Sequence, residues 1–89
     1  MSSETYLNHP TFGMLFRVCL LEENRELFAT IYAQRLFFLV ITDTETIKFE
    51  PTTRTDARIL VESRLRLLRR SGQNEDYTKL QALHKQTFQ

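Results

Sequence analysis

Two glycines, two prolines, two histidines, one cysteine and no tryptophan leave this 89-residue chain short of parts that much protein chemistry uses. With Cys19 alone, no intramolecular disulfide can form, and no second thiol exists for a CxxC zinc or redox pair. Two glycines cannot build a phosphate-cradling loop, and neither GxGxxG nor a P-loop occurs. His9 precedes Pro10 in a turn and His84 falls on a helix, 75 residues away; each reads as a surface or packed histidine rather than a catalytic or metal-binding one. Cys19 lies in an apolar strand and reads as a small core residue. Glu22 and Glu23 are adjacent and run into Asn24-Arg25, the composition of a solvated turn rather than an acid–base pair. The longest uninterrupted apolar run, Leu36 to Ile41, is far below the roughly 20 residues that cross a bilayer. The polar, acidic start MSSETYLNHP is unlike a signal peptide. The expectation is a cytoplasmic protein that is not an enzyme, holds no metal and meets no membrane.

Hydrophobic residues make up 42% and charged residues 26%, a balance that favours a folded domain over disorder. At this length one compact unit with a small core is expected. The net charge of +1 conceals an asymmetry. Residues 1–53 carry seven acids against four bases, whereas residues 54–89 carry eight bases against four acids. Six of those bases are arginines between Arg54 and Arg70, so the two halves should present different surfaces.

Residues 4–50 read as β-structure. TFGMLFRVCLL (11–21) is aromatic and aliphatic enough for a strand. ELFATIYA (26–33) alternates, with Leu27, Ala29, Ile31 and Ala33 on one side and Phe28, Thr30, Tyr32 and Gln34 on the other. LFFLVIT (36–42) is continuously apolar, as in a buried strand, and TIKFE (46–50) alternates again. DTET between them suits a hairpin loop. A helix over 26–40 is the rival reading, and the β-branched and aromatic content speaks against it. Ala33-Gln34-Arg35 lacks the Gly, Asn or Asp of a tight turn, so this junction is either a bend or a working surface. Pro10, Gly13, Pro51 and Gly72 stand at candidate breaks.

From Pro51 the pattern changes to helix. Thr53 or Thr55 can cap its start, Asp56 suits the first turn, Arg69 and Arg70 the last, and Gly72 the position beyond. Ala57, Val61, Leu65 and Leu68 form one apolar stripe. Asn74 offers a second cap, and Tyr77, Leu80, Leu83 or His84, and Phe88 form the matching stripe. The short RSGQN link predicts antiparallel neighbours. The fold class is therefore α+β: a small antiparallel β-barrel over 1–53 followed by a two-helix hairpin over 54–89.

Two surfaces compete for a binding role. The arginines of helix 54–70 could contact phosphates, making a small nucleic-acid module, although a total charge of +1 is low for one. The other surface centres on Tyr32, Gln34 and Arg35, with Phe12 and Tyr6 if they share that face. Tyrosine and arginine are the residue types that dominate protein–protein hot spots.

ETYLNHPTFG, ELFAT, YAQRLFFLV (32–40), FEP (49–51), the AR…LV…RLR…LRR helix and the closing QTF resemble the PII-interacting protein X (PipX) family of cyanobacteria along the whole chain. The resemblance implies a Tudor-like β-barrel and two helices. It implies an adaptor in nitrogen signalling that is bound by the trimeric PII signal protein when 2-oxoglutarate is scarce. When 2-oxoglutarate is abundant, it is released to coactivate the dimeric transcription regulator NtcA. ATP, ADP and 2-oxoglutarate would bind those partners, leaving this chain without a cofactor. Carried over, the partner-binding positions are Glu4, Tyr6, Phe12, Tyr32, Gln34, Arg35 and Leu36, with Tyr32 as a hot spot and Arg35 as a charge-assisted contact. A third contact, such as RNA polymerase, is expected on the helical hairpin at Arg66, Arg69 and Arg70, and direct nucleic-acid binding is not.

Overall fold

The computed structural model describes residues 6–31 and 36–88. Five strands come first: β1 (Tyr6–His9), β2 (Gly13–Glu22), β3 (Arg25–Thr30), β4 (Phe37–Thr42) and β5 (Ile47–Thr52). Two helices follow, α1 (Arg54–Arg70) and α2 (Asn74–Phe88). The strands pair antiparallel in the order β1-β2-β3-β4-β5. The α+β arrangement is thus as expected, with the barrel present as a curled half-barrel. No ladder joins β5 to β1 among the described residues. Side chains bring the two edges together instead, since the rings of His9 on β1 and Phe49 on β5 lie 4.8 Å apart. The curl has a local cause in β2, whose register against β3 shifts between Arg17 and Cys19 and again between Leu20 and Glu22. Such irregularities bend a strand and increase its twist.

Both faces of the sheet are buried, which is why β3 and β4 are nearly continuous apolar runs. On one face Leu27, Ala29 and Phe37 join Val18, Cys19 and the helix residues Ala57, Val61, Leu68, Leu80 and Phe88. The concave face packs on itself through Leu15, Phe28, Phe38 and Val40, with Leu7 and Phe49 against them. The alternation of β3 is real, Leu27 and Phe28 pointing to opposite cores, yet neither side meets water. Burying each of those two side chains contributes about 1.5–3 kcal/mol.

β1, inside the stretch read as β-structure, pairs with β2. Two sequence expectations need correction. Pro51 is read as a break but lies inside β5, opposite Phe38; an edge strand tolerates the missing N–H because its outer side has no ladder to complete. Asn74 is read as a cap but is the first residue of α2, and the Gln73 carbonyl accepts the first helical bond, from Tyr77 N–H at 3.0 Å.

The helix ends otherwise follow local chemistry. Thr53 Oγ1 accepts from Asp56 N–H at 3.0 Å and caps α1. At the far end the Gly72 and Gln73 N–H groups donate to the Arg69 and Leu68 carbonyls, with Gly72 at φ +76°. This double closure satisfies orphan carbonyls and needs a residue without a Cβ at the left-handed position. It turns the chain so sharply that α2 starts at once and runs back along α1, as contacts at both ends show. Arg54 Nη1 donates to the Thr87 carbonyl at 3.1 Å, and the Arg69 guanidinium lies 5.9 Å from the Tyr77 ring centroid.

Candidate partner-binding site

One end of the half-barrel gathers three pieces of chain. Ile31 N–H donates to the Met14 carbonyl at 3.2 Å and Thr30 N–H to the Leu36 carbonyl at 3.1 Å. The β1–β2 connection, the end of β3 and the start of β4 therefore meet there. At this end Phe12, Met14 and Leu36 keep 45%, 42% and 39% of their surface exposed. They are exposed apolar side chains at one end of the sheet, and Met14, two residues from Phe16 in β2, stands on the helix side.

Phe12 is exposed but supported. Its ring centroid lies 5.1 Å from that of His9 and 5.6 Å from that of Phe38. Tyr6 is more exposed, at 54%. It stands opposite Phe16, which packs against the helix-side core, so Tyr6 lies on that face. Phe12 rests on the other, concave-side core. The two aromatic candidates therefore occupy different faces. Leu36 closes the β3–β4 connection through its carbonyl. Glu4, Tyr32, Gln34 and Arg35 lie outside the described residues. Sequence reasoning passed over Met14, whose place within an apolar strand resembles that of a core residue, although it is 42% exposed. It also passed over the role of His9, whose Nδ1 accepts from Thr11 N–H at 3.0 Å and Phe12 N–H at 3.2 Å. A His-Pro pair before a turn was the available signal, and a weak one.

Arg66, Arg69 and Arg70 stand away from this end. α1 starts beside it, because Thr52 lies opposite Phe37, and then runs roughly 25 Å away. Several guanidinium groups of α1 serve the hairpin itself. Arg58 Nε is 3.8 Å from Glu62 Oε2, the oxygen that also meets His84 Nε2 at 3.0 Å. Arg66 Nη2 donates to Ser63 Oγ at 3.2 Å, and Arg54 also lies over the Phe88 ring at 5.5 Å. These contacts spread the arginines around the helix rather than aligning them as a row for phosphates.

A second concavity, a cleft of about 420 Å³, opens between the bent middle of β2 and the two helices. Arg17, Arg64 and Lys79 line it over Val18, Cys19 and Leu80. Its positive charge is largely answered: Arg17 Nη1 pairs with Glu26 Oε2 at 2.9 Å, and Asp76 shares the wall with Lys79. Cys19 sits 8% exposed at its floor. Burial pushes its thiol from 9.0 to about 12, against the smaller opposing pull of Arg64 and Arg17. A thiol held neutral is no nucleophile, so Cys19 behaves as the core residue its setting suggested. No three of His, Cys, Asp and Glu come together as metal ligands among the described residues. Among those same residues no helix is long and apolar enough to cross a membrane.

Apolar side chains presented at one end of a small half-barrel, on a frame stiffened by a helical hairpin, define an interaction module. A protein-family model described as PipX, PII-interacting protein X, matches residues 3–88, and the chain belongs to that family. It is a family of PII-interacting regulatory adaptors. No curated protein matches the chain.

Proposed function

We propose that this chain is a cytoplasmic adaptor that exchanges between the PII signal protein and the transcription regulator NtcA according to the level of 2-oxoglutarate. The observation that carries the reading is the family match over residues 3–88. The exposed Phe12, Met14 and Leu36 at one end of the half-barrel support it by supplying a surface for a protein partner. PII holds the adaptor when 2-oxoglutarate is scarce. PII loaded with ATP and 2-oxoglutarate releases it, and NtcA then receives it. Overlapping surfaces make the two complexes mutually exclusive by sterics alone. By binding the active NtcA conformation preferentially, the adaptor shifts that dimer's population and, by reciprocity, tightens its hold on 2-oxoglutarate. The adaptor itself carries out no chemistry and binds neither nucleotide nor 2-oxoglutarate.

The proposed contacts are Glu4, Tyr6, Phe12, Tyr32, Gln34, Arg35 and Leu36. Because Tyr6 and Phe12 lie on different faces, a partner that uses both must wrap around the rim of the sheet rather than lie flat on it. A third partner, RNA polymerase, is proposed for Arg66, Arg69 and Arg70 on α1.

Size-exclusion chromatography of the chain with trimeric PII tests the reading. Co-elution without 2-oxoglutarate, abolished by ATP plus 2-oxoglutarate, is the expected result. Separate elution without 2-oxoglutarate would refute it. Tyr32→Ala should weaken PII binding by about 2 kcal/mol or more, measured by calorimetry; a loss below about 0.5 kcal/mol would remove Tyr32 from that role.

A further inference from the structure

We infer that His9 is a positioning residue that holds Phe12 in place for the partner. The inference rests on the reading of Phe12 as a partner contact. Its physical basis is a turn that cannot satisfy itself. Pro10 contributes no donor to the β1–β2 connection. The next two N–H groups, of Thr11 and Phe12, both point at one acceptor, His9 Nδ1, at 3.0 Å and 3.2 Å. A ring nitrogen that receives two N–H donors must carry its lone pair, so the ring proton resides on Nε2. Gly13 closes the turn at φ +77°, directly opposite His9 in the ladder.

The ring that accepts these bonds is itself immobilised from the far side. Its centroid lies 5.0 Å from that of Phe38 on β4 and 4.8 Å from that of Phe49 on β5. His9 therefore ties the exposed turn to two strands that are distant in sequence. Phe12 then rests on both His9 and Phe38 with nearly half its surface still in water. An exposed phenylalanine on an untethered turn would sample many positions and lose that freedom on binding. Tethering it beforehand removes that cost from the binding step.

Two substitutions separate the acceptor from the ring. His9→Phe keeps a ring against Phe38 and Phe49 but has no acceptor. His9→Asn gives up the ring but places an oxygen where Nδ1 stood, in a turn geometry that asparagine favours. The experiment measures amide hydrogen exchange of the free protein, its thermal midpoint, and affinity for PII without 2-oxoglutarate. The wild type should show protected Thr11 and Phe12 amides and an imidazole ¹⁵N spectrum with Nδ1 unprotonated. His9→Phe should lose that protection and bind PII roughly tenfold more weakly, as expected for two lost hydrogen bonds, while still melting cooperatively. His9→Asn should retain protection and bind within about threefold of wild type.

Unprotected Thr11 and Phe12 amides in the wild type overturn the inference, and so does His9→Phe binding PII as tightly as wild type. His9→Asn losing as much affinity as His9→Phe also overturns it, since the ring alone would then matter. If His9→Phe does not fold, the wild-type exchange and the His9→Asn affinity decide. Wild-type protein that fails to bind PII refutes the adaptor reading instead, and the exchange data then judge the tether by themselves. Wild type that binds while Phe12→Ala binds equally well overturns the positioning role and leaves the adaptor reading standing.

Discussion

Thr30 and Cys19 illustrate at the residue scale how position sets what a side chain can do. Thr30 is 2% exposed and its hydroxyl has no partner among the described residues. A buried hydroxyl without a partner costs free energy, and an apolar group of the same shape avoids that cost. Thr30→Val should therefore leave urea-induced unfolding unchanged or stabilise the protein by up to about 1 kcal/mol; a loss greater than about 1 kcal/mol would show that the hydroxyl is bonded after all. Cys19 makes a pH prediction with a definite sign. Folding raises its thiol from 9.0 to about 12, so the folded state favours the neutral form. The contribution to stability is complete below the ordinary value and is lost as pH rises toward the raised one. Urea midpoints followed from pH 8 upward should fall less steeply for Cys19→Ala than for wild type. Identical slopes would mean that the thiol does not feel its burial. The Cys19 environment was legible from an apolar strand, whereas the lone hydroxyl of Thr30 was not, because in sequence it is one more position in an alternating strand.

Elements tell a different story about legibility. The apolar stripe Ala57, Val61, Leu65 and Leu68 marked the buried face of α1, and Ala57, Val61 and Leu68 are indeed in the core. Periodicity succeeds here because a helix exposes one broad face and buries the other. β1 lies inside the stretch read as β-structure, but four residues carry too little pattern to mark its bounds. β5 was cut short at Pro51 because the rule that proline interrupts strands holds for central strands, and a sequence does not say which strand is at the edge. Gln73 takes the cap position expected of Asn74 because the Gly72 closure leaves only Ser71, Gly72 and Gln73 between one helix and the next. α2 depends on few buried side chains, chiefly Leu80 and Phe88. Phe88 stacks on Phe37 with centroids 5.5 Å apart and planes 19° from parallel. Leu80→Ala should therefore cost about 2–5 kcal/mol in denaturant unfolding. Retention of full stability would mean that α2 is not docked in solution as it is in the structure.

At the scale of the whole molecule, the half-barrel and the helical hairpin divide the surface. Phe12, Met14 and Leu36 lie at one end, while α1 carries Arg66, Arg69 and Arg70 away from it. Reversing those three charges to glutamate should leave the affinity for PII within about threefold, by calorimetry in buffer of physiological ionic strength, because the distance exceeds the roughly 8 Å screening length there. A tenfold loss would place α1 inside the PII interface. Composition, periodicity and end signals by themselves determined that the chain has a β-rich half and a helical half, that Cys19 is a core residue, and that no motif for catalysis or phosphate binding is present. Those properties are local, set by neighbours a few residues apart. Only the tertiary structure decided that both faces of the sheet are buried, that Tyr6 and Phe12 part company, that Met14 is exposed, and that His9 joins a surface turn to β4 and β5. Each of these depends on strand register and on the curl of β2, and register is a relation between distant segments that no window of sequence contains.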